Sequence, residues 1–216
     1  MFPKVKICCI GSVDEAHMAI GFGAAALGLV AKMPSGPGSI SDQLIANITA
    51  TVPPPIATFM LTSEITADGI IAHHYRTKTN TIQIVDALQT GTYKAVKLAL
   101  PAIKIVQVIH IINEASIEET LRISEEVDAL LLDSGNPNLL VKELGGTGKT
   151  HNWYLSKQIV AQCKKPVFLA GGLKPENVRQ AMDTVRPYGL DVCSGVRTNK
   201  QLDAHKIEAF FKAVYG

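Results

Sequence analysis

The chain has 216 residues, of which 47% are hydrophobic, and a formal net charge of +2 at pH 7. This apolar content is ample for a packed core and excludes a disordered chain. The lysines and arginines are scattered along the chain, so a nucleic-acid-binding protein, which would carry a concentrated basic patch, is excluded as well.

The cysteines and the apolar stretches indicate where the protein works. Four cysteines, two of them adjacent at Cys8 and Cys9, form neither a disulfide framework nor a CxxC metal pattern. Free thiols predict a reducing, cytoplasmic setting. The apolar stretch 19–31 is shorter than the roughly 20 residues that span a bilayer, and the charged N-terminus does not resemble a signal peptide. We therefore expect no membrane association.

Short apolar runs alternate with longer amphipathic segments along the whole chain. The runs predict strands at 5–10, 26–30, 56–61, 81–85, 103–109, 129–133, 167–169 and 191–196. Helices are predicted at 12–21 (or to 23), 41–51, 63–74, 92–100, 114–126, 153–163, 175–185 and 203–214. Eight strand–helix units, without a second composition block, predict a single α/β domain over residues 1–216, a (β/α)8 TIM barrel. A doubly wound sheet usually has only five or six such units.

Two glycine turns near the end of the chain predict a phosphate site. Gly171-Gly172 follows a short strand and leads through Pro175 into a helix, which exposes backbone N–H groups at the positive end of the helix dipole. An ordinary tight turn is the alternative for this pair alone. Ser194-Gly195 ends the next predicted strand in the same way, and two adjacent turns of this kind are typical of the phosphate site of a barrel.

Reacting groups of a barrel lie at the C-terminal ends of its strands. Strand one ends in Cys8-Cys9 and strand six in Asp133, and a thiol with a carboxylate can act as a base and acid pair. A packed cysteine and a loop-capping aspartate remain the alternatives. Lys6 has the same parity as Cys8 and should face the barrel interior with it, whereas the opposite parity of Cys9 favours packing against the helices.

Two further motifs resemble ligand sites, but neither is interpreted as one. Residues 145–150 resemble a Walker A loop, but Glu143 stands where that motif needs glycine. The six histidines, including the His73-His74 pair, have no metal-ligand spacing and are expected at the surface.

Five segments in order resemble the phosphoribosylanthranilate isomerases of tryptophan biosynthesis, and together they extend across nearly the whole chain. They are Lys6-Ile7-Cys8, residues 130–133, residues 145–150 with Trp153 just after them, residues 169–178 and residues 191–196. The resemblance implies an Amadori rearrangement of N-(5-phosphoribosyl)anthranilate to the corresponding 1-deoxyribulose phosphate, without metal or cofactor. It also implies that the segment 145–150 is a mobile loop covering the substrate.

The resemblance also implies residue roles. Asp133 would be the general acid that protonates the furanose ring oxygen, for which its pKa should lie well above the reference of about 3.9. Cys8 would be the general base that removes the proton from C2′, and helix N-termini nearby should favour its thiolate. The implied substrate and phosphate contacts are Lys6, Gly146, Gly171, Gly172, Ser194 and Gly195.

Several positions depart from the family, mainly on the anthranilate side. Gly38 stands in place of the arginine expected for the substrate carboxylate, and Cys9 in place of glycine. The remaining departures are Val85-Asp86, His151-Asn152 and Arg197. Arg197, Lys149 and Arg76 are candidates to replace the missing guanidinium.

The departures keep two alternatives open. The first is an isomerase acting on another phosphorylated aminosugar, and the second is a non-catalytic barrel that binds a sugar phosphate. The expected partner is in each case a small phosphorylated molecule, and the chain is expected to be a monomer or a homodimer.

Overall fold

The computed structural model describes residues 2–136, 139, 142, 144 and 148–216. Eight parallel strands close into a barrel in sequence order, so the predicted TIM barrel is confirmed. The strands are β1 (Lys4–Ile7), β2 (Ala26–Val30), β3 (Ala57–Thr62), β4 (Thr81–Ile84), β5 (Lys104–His110), β6 (Ala129–Asp133), β7 (Val167–Leu169) and β8 (Gly189–Val192). The helices are α1 (Val13–Gly21), α2 (Asp42–Thr51), α3 (Ala67–Thr77), α4 (Tyr93–Ala99), α5 (Ala115–Ser124), α6 (Trp153–Gln162), α7 (Val178–Val185) and α8 (Ala204–Tyr215).

Strand alternation divides the core into two layers. Val5 and Ile7 of β1 are fully buried among side chains of the helices. Lys6 and Cys8 lie on the other side of the same strand, inside the barrel, as their shared parity predicted. The first strand therefore contributes apolar groups to the outer layer and reactive groups to the interior.

The end of the barrel differs from the strand predicted at 191–196. Strand β8 stops at Val192, and residues Ser194–Val196 form a short 3-10 helix. A hairpin of β9 (Arg197–Thr198) and β10 (Gln201–Leu202) follows. The second half of the predicted strand is therefore wrong, because the chain turns away at the rim of the barrel.

The first strand is also shorter than predicted. It stops at Ile7 instead of continuing to residue 10, because Cys9 adopts a positive φ of 62°. A strand needs a negative φ, so the alternation of side chains ends before Cys9.

Helix starts follow their capping residues. Ser12 and Ser41 cap α1 and α2 as their positions predicted, each accepting a hydrogen bond from a backbone N–H in the first turn. Helix α3 begins at Ala67 instead of Ser63, because Thr66 supplies the cap. Helix α7 begins at Val178 instead of Pro175.

The surface position expected for the histidines is wrong for three of them. His73, His74 and His110 are buried. His73 lies between Thr62 Oγ1 at 2.9 Å and Asp42 Oδ1 at 3.1 Å, because α3 is covered by neighbouring elements. No cluster of three or more His, Cys, Asp or Glu side chains suited to a metal ion occurs in the described residues.

None of the helices in the described part of the chain combines the length and the apolar character that crossing a membrane requires.

Candidate active site

A cavity opens at the carboxyl ends of the barrel strands, where enzymes of this architecture bind their substrates. Five of the predicted site residues line it, namely Cys8, Asp133, Gly171, Gly172 and Ser194. Its polar lining also includes Ser35, Gln83, Asp191 and Cys193, and its apolar lining includes Val30, Met33, Leu61, Val85 and Leu144. The candidate acid, the candidate base and both glycine turns therefore share one space.

Asp133 is the last residue of β6 and is buried. The backbone N–H of Ser134 donates to its Oδ1 at 2.7 Å. Burial raises the pKa of Asp133 above its ordinary value, because the charged form is poorly solvated, and this outweighs the hydrogen bond from Ser134. The raised pKa shifts the carboxyl group toward its protonated form, the form that an acid catalyst needs.

Cys8 follows β1 directly and is held by the barrel itself. Its backbone N–H donates to the carbonyl oxygen of Val192 at 2.8 Å. Gly28 on the neighbouring strand leaves room for the thiol, since a Cβ atom there would lie 2.7 Å from the Cys8 sulfur. The thiol thus projects into the cavity from a rigid position.

Below the cavity, Lys6 and Asp191 form a buried ion pair with Nζ and Oδ1 2.9 Å apart. Burial alone lowers the pKa of Lys6, but the carboxylate of Asp191 more than compensates and raises it. Asp191 faces the cavity from β8, whereas Lys6 is fully buried and does not line it. The contact between Lys6 and the substrate therefore stays a prediction.

The two glycine turns meet beside the loop that precedes α6. Gly171 and Gly172 have φ values of 82° and 61°. A Cβ atom at Gly172 would lie 2.7 Å from the Lys149 carbonyl carbon, and one at Gly195 would lie 2.0 Å from the Leu173 carbonyl oxygen. Only glycine therefore permits this packing.

Three backbone N–H groups of these turns have no hydrogen-bond acceptor in the part of the chain that the structure describes. Within the described residues, those of Gly172, Ser194 and Gly195 donate no hydrogen bond. Gly146, another predicted contact, lies outside the described residues.

The two arginines proposed to replace the missing guanidinium are both bound to other residues of the chain. The guanidinium of Arg197 binds both carboxylate oxygens of Glu15 at 2.9 and 3.0 Å, and it donates to the carbonyl oxygens of Cys9 at 2.5 Å and Cys8 at 3.3 Å. Arg76 pairs with Asp42 on α2, with 2.6 Å between Nε and Oδ2. Neither arginine lines the cavity.

The sequence analysis predicted the wrong position for Cys9 and did not identify His110 as a neighbour of Asp133. The packing of Cys9 against the helices is wrong, because its positive φ turns the side chain into the cavity. His110 ends β5 beside Asp133, its register partner on the adjacent strand β6, and its Nε2 lies 3.1 Å from the carbonyl oxygen of Val85. Its position at a strand end was the signal that could have identified it.

Comparison with known proteins decides the family. The model of the family described as N-(5'phosphoribosyl)anthranilate (PRA) isomerase matches residues 5–213. The chain belongs to this family. An N-(5'-phosphoribosyl)anthranilate isomerase from Methanosarcina acetivorans is 34% identical over 224 residues, which cover 98% of this chain and 92% of that protein. The isomerase from Methanocella arvoryzae is 30% identical and covers 98% of this chain and 97% of its own length.

Solved structures of PRA isomerases share the fold. The enzyme from Thermotoga maritima superposes with a TM-score of 0.80 at 28% identity, and the match covers 98% of each chain. A PRA isomerase in complex with reduced 1-(o-carboxyphenylamino)-1-deoxyribulose 5-phosphate has a TM-score of 0.77 at 26% identity, also over 98% of each chain.

Proposed function

We propose that the chain isomerises N-(5'-phosphoribosyl)anthranilate to 1-(2-carboxyphenylamino)-1-deoxyribulose 5-phosphate in tryptophan biosynthesis, with Asp133 as acid and Cys8 as base. The activity is that of the PRA isomerase family, an intramolecular aldose–ketose isomerisation. The observation that carries the residue assignment is the shared cavity, which contains a protonatable carboxyl group and a thiol on different strands.

In this proposal Asp133 starts the reaction. Its proton passes to the furanose ring oxygen, the bond from that oxygen to C1′ breaks, and the anthranilate nitrogen supplies the electrons that form an iminium. The raised pKa of Asp133 supports this role, because a buried carboxyl group retains its proton closer to neutrality.

Cys8 completes the rearrangement. Its thiolate removes the proton from C2′, which converts the iminium into an enol that tautomerises to the ketose. The position of Cys8 across the barrel mouth from β6 supports this division, because the acid and the base act on the two ring atoms that flank C1′ of one bound sugar, the ring oxygen and C2′.

The phosphate is placed at the two glycine turns. Backbone N–H groups of Gly172, Ser194 and Gly195, with the glycine at 171 shaping the turn, would surround its oxygens. Residues 149–150 pack against Gly172, and Gly148 lines the cavity at the same end.

The anthranilate ring then lies toward β2, β3 and β4. Val30, Met33 and Leu61 provide apolar contacts for an aromatic ring. Among the residues that the structure describes, no lysine or arginine lines the cavity, and Gln83 and Ser35 are polar side chains that line it on this side. We expect a weaker contact with this carboxylate than a guanidinium would provide.

The product of the reaction tests the function directly. We expect the purified protein to convert the fluorescent N-(5'-phosphoribosyl)anthranilate into a compound of identical mass with a ketone carbon detectable by NMR. Release of free anthranilate alone, or no change in the presence of folded protein, would contradict the assignment. If the protein converts only a different phosphorylated aminosugar, it is an isomerase of that sugar, the first of the two alternatives left open by the sequence.

We also propose a cytoplasmic location and a monomeric or homodimeric assembly. The free thiols at positions 8, 9, 163 and 193 support a reducing compartment.

A further inference from the structure

Two cysteines that the proposed acid–base chemistry does not use meet at the mouth of the barrel. The sulfur of Cys9, after β1, lies 2.6 Å from the sulfur of Cys193, after β8, although 184 positions separate them along the chain. Both side chains line the cavity. Barrel closure between β1 and β8 is what brings these two thiols into contact.

The backbone conformation that presents Cys9 is an unusual one. Its φ of 62° lies in the left-handed region, which glycine adopts without strain and a cysteine rarely does. The guanidinium of Arg197 holds this turn through the carbonyl oxygen of Cys9, at 2.5 Å. A strained residue held by its surroundings indicates a functional reason for its side chain.

The two thiols of the pair differ in exposure and in pKa, which distinguishes the thiol that attacks the oxidant from the thiol that then closes the disulfide. Cys193 is partly exposed, and its side-chain hydrogen bond with Cys9 lowers its pKa. Hydrogen bonds to Cys193 and to Cys8, together with burial, raise the pKa of Cys9. A partly exposed thiol with a lowered pKa beside a buried thiol with a raised pKa is typical of cysteine pairs that oxidise reversibly.

We propose that Cys9 and Cys193 form a redox site, which a peroxide converts to a disulfide that slows the isomerase. The thiolate of Cys193 attacks one peroxide oxygen, so an S–O bond forms, the O–O bond breaks and hydroxide leaves. The sulfur of Cys9 then displaces hydroxide from the sulfenic acid of Cys193 to form the S–S bond. Two thiols and one hydrogen peroxide yield one disulfide and two waters, and a dithiol reductant reverses the change by exchange.

Little movement is needed for this step. A disulfide bond is about 2 Å long, so the two sulfurs must approach each other by roughly half an ångström. The cavity gives a small oxidant access to both of them.

The effect on turnover rests on the proposed function. Cys9 directly follows Cys8 in the chain, so a disulfide at Cys9 constrains the backbone that presents the Cys8 thiol. Cys193 directly precedes Ser194 in the proposed phosphate turn, so a disulfide also ties that turn to the loop after β1. Both changes act on the groups that the isomerisation needs.

Peptide mapping tests the site independently of any activity. The full-length protein is treated with hydrogen peroxide, blocked with a thiol reagent, digested without reduction and analysed by mass spectrometry. We expect a Cys9–Cys193 linked peptide that disappears after dithiothreitol, and the same peptide from the Cys163→Ser variant. No linked peptide, or a link that includes Cys8 instead, would overturn the proposal.

Turnover of N-(5'-phosphoribosyl)anthranilate tests the consequence. We expect peroxide to remove most of the activity of the parent and of Cys163→Ser, and dithiothreitol to restore it. Cys193→Ser and Cys9→Gly should lose this reversible component; glycine suits the left-handed conformation at position 9. A linked peptide with undiminished turnover would overturn the regulatory effect. A parent without isomerase activity would contradict the proposed function instead, and the peptide map would still test the pair.

Discussion

At the scale of single residues, Asp133 shows how position alters chemistry. The same carboxyl group would be ionised at neutral pH in an exposed loop, since its reference pKa is about 3.9. At the end of β6 it is buried beside His110 and above the Lys6–Asp191 pair, and burial raises its pKa. This burial supports the proposed role of Asp133 as proton donor.

The raised pKa of Asp133 predicts a dependence of stability on pH. Because the folded pKa exceeds the unfolded one, the folded state loses stability as pH rises from about 4 through the folded value. Asp133→Asn removes the ionisation, so we expect it to be more stable than the parent at pH 8, with a smaller gain at pH 5. Urea unfolding at both pH values measures the difference. An Asp133→Asn variant that is less stable at pH 8 would argue against this effect of burial.

At the scale of elements, the proposed phosphate site is formed by the turns after β7 and β8. The turn at Gly195 packs against the carbonyl oxygen of Leu173, so each turn fixes the position of the other. Helix α7 begins only at Val178, and Asn177 fastens the preceding turn through its side-chain amide to the carbonyl oxygen of Gly172 at 2.9 Å. The proposed phosphate site is therefore a feature of two loops together.

Gly195→Ala should disturb this arrangement, because its Cβ would lie 2.0 Å from the Leu173 carbonyl oxygen. We expect KM to rise roughly tenfold to a hundredfold, since a hydrogen bond to a charged group contributes about 1.5–3 kcal/mol. Steady-state kinetics measure KM, and Gly21→Ala is the control, because a Cβ at Gly21 meets no atom within 4 Å. Equal KM values for the two variants would exclude a role of the Gly195 turn in binding.

The same elements show why part of the chain was predictable. Ser12 and Ser41 are local capping signals, and the structure retains them. The 3-10 helix at Ser194–Val196 was mistaken for strand, because its small residues follow β8 with only Cys193 between them. Three residues are too few for periodicity to distinguish the two.

At the scale of the whole molecule, the barrel was predictable because eight apolar strands alternate with eight helices along the chain. The environment of Arg197 was not, since its guanidinium binds Glu15, 182 positions away. The contact between Cys9 and Cys193 was not predictable either. The prediction for Cys9 assumed that side chains alternate along a continuous strand, and the positive φ of Cys9 ends that strand. Such contacts depend on how the barrel closes.

The acid–base assignment is tested most directly by the turnover of N-(5'-phosphoribosyl)anthranilate. The variants Cys8→Ala and Asp133→Asn are compared with the parent and with the remote control Cys163→Ala. We predict that each of the first two variants lowers kcat/KM about a hundredfold to ten-thousandfold, the usual contribution of a positioned acid or base. Circular dichroism should show that both remain folded, and Cys163→Ala should retain the parent's turnover. Parent-like kcat/KM in folded Cys8→Ala or Asp133→Asn would contradict the assignment.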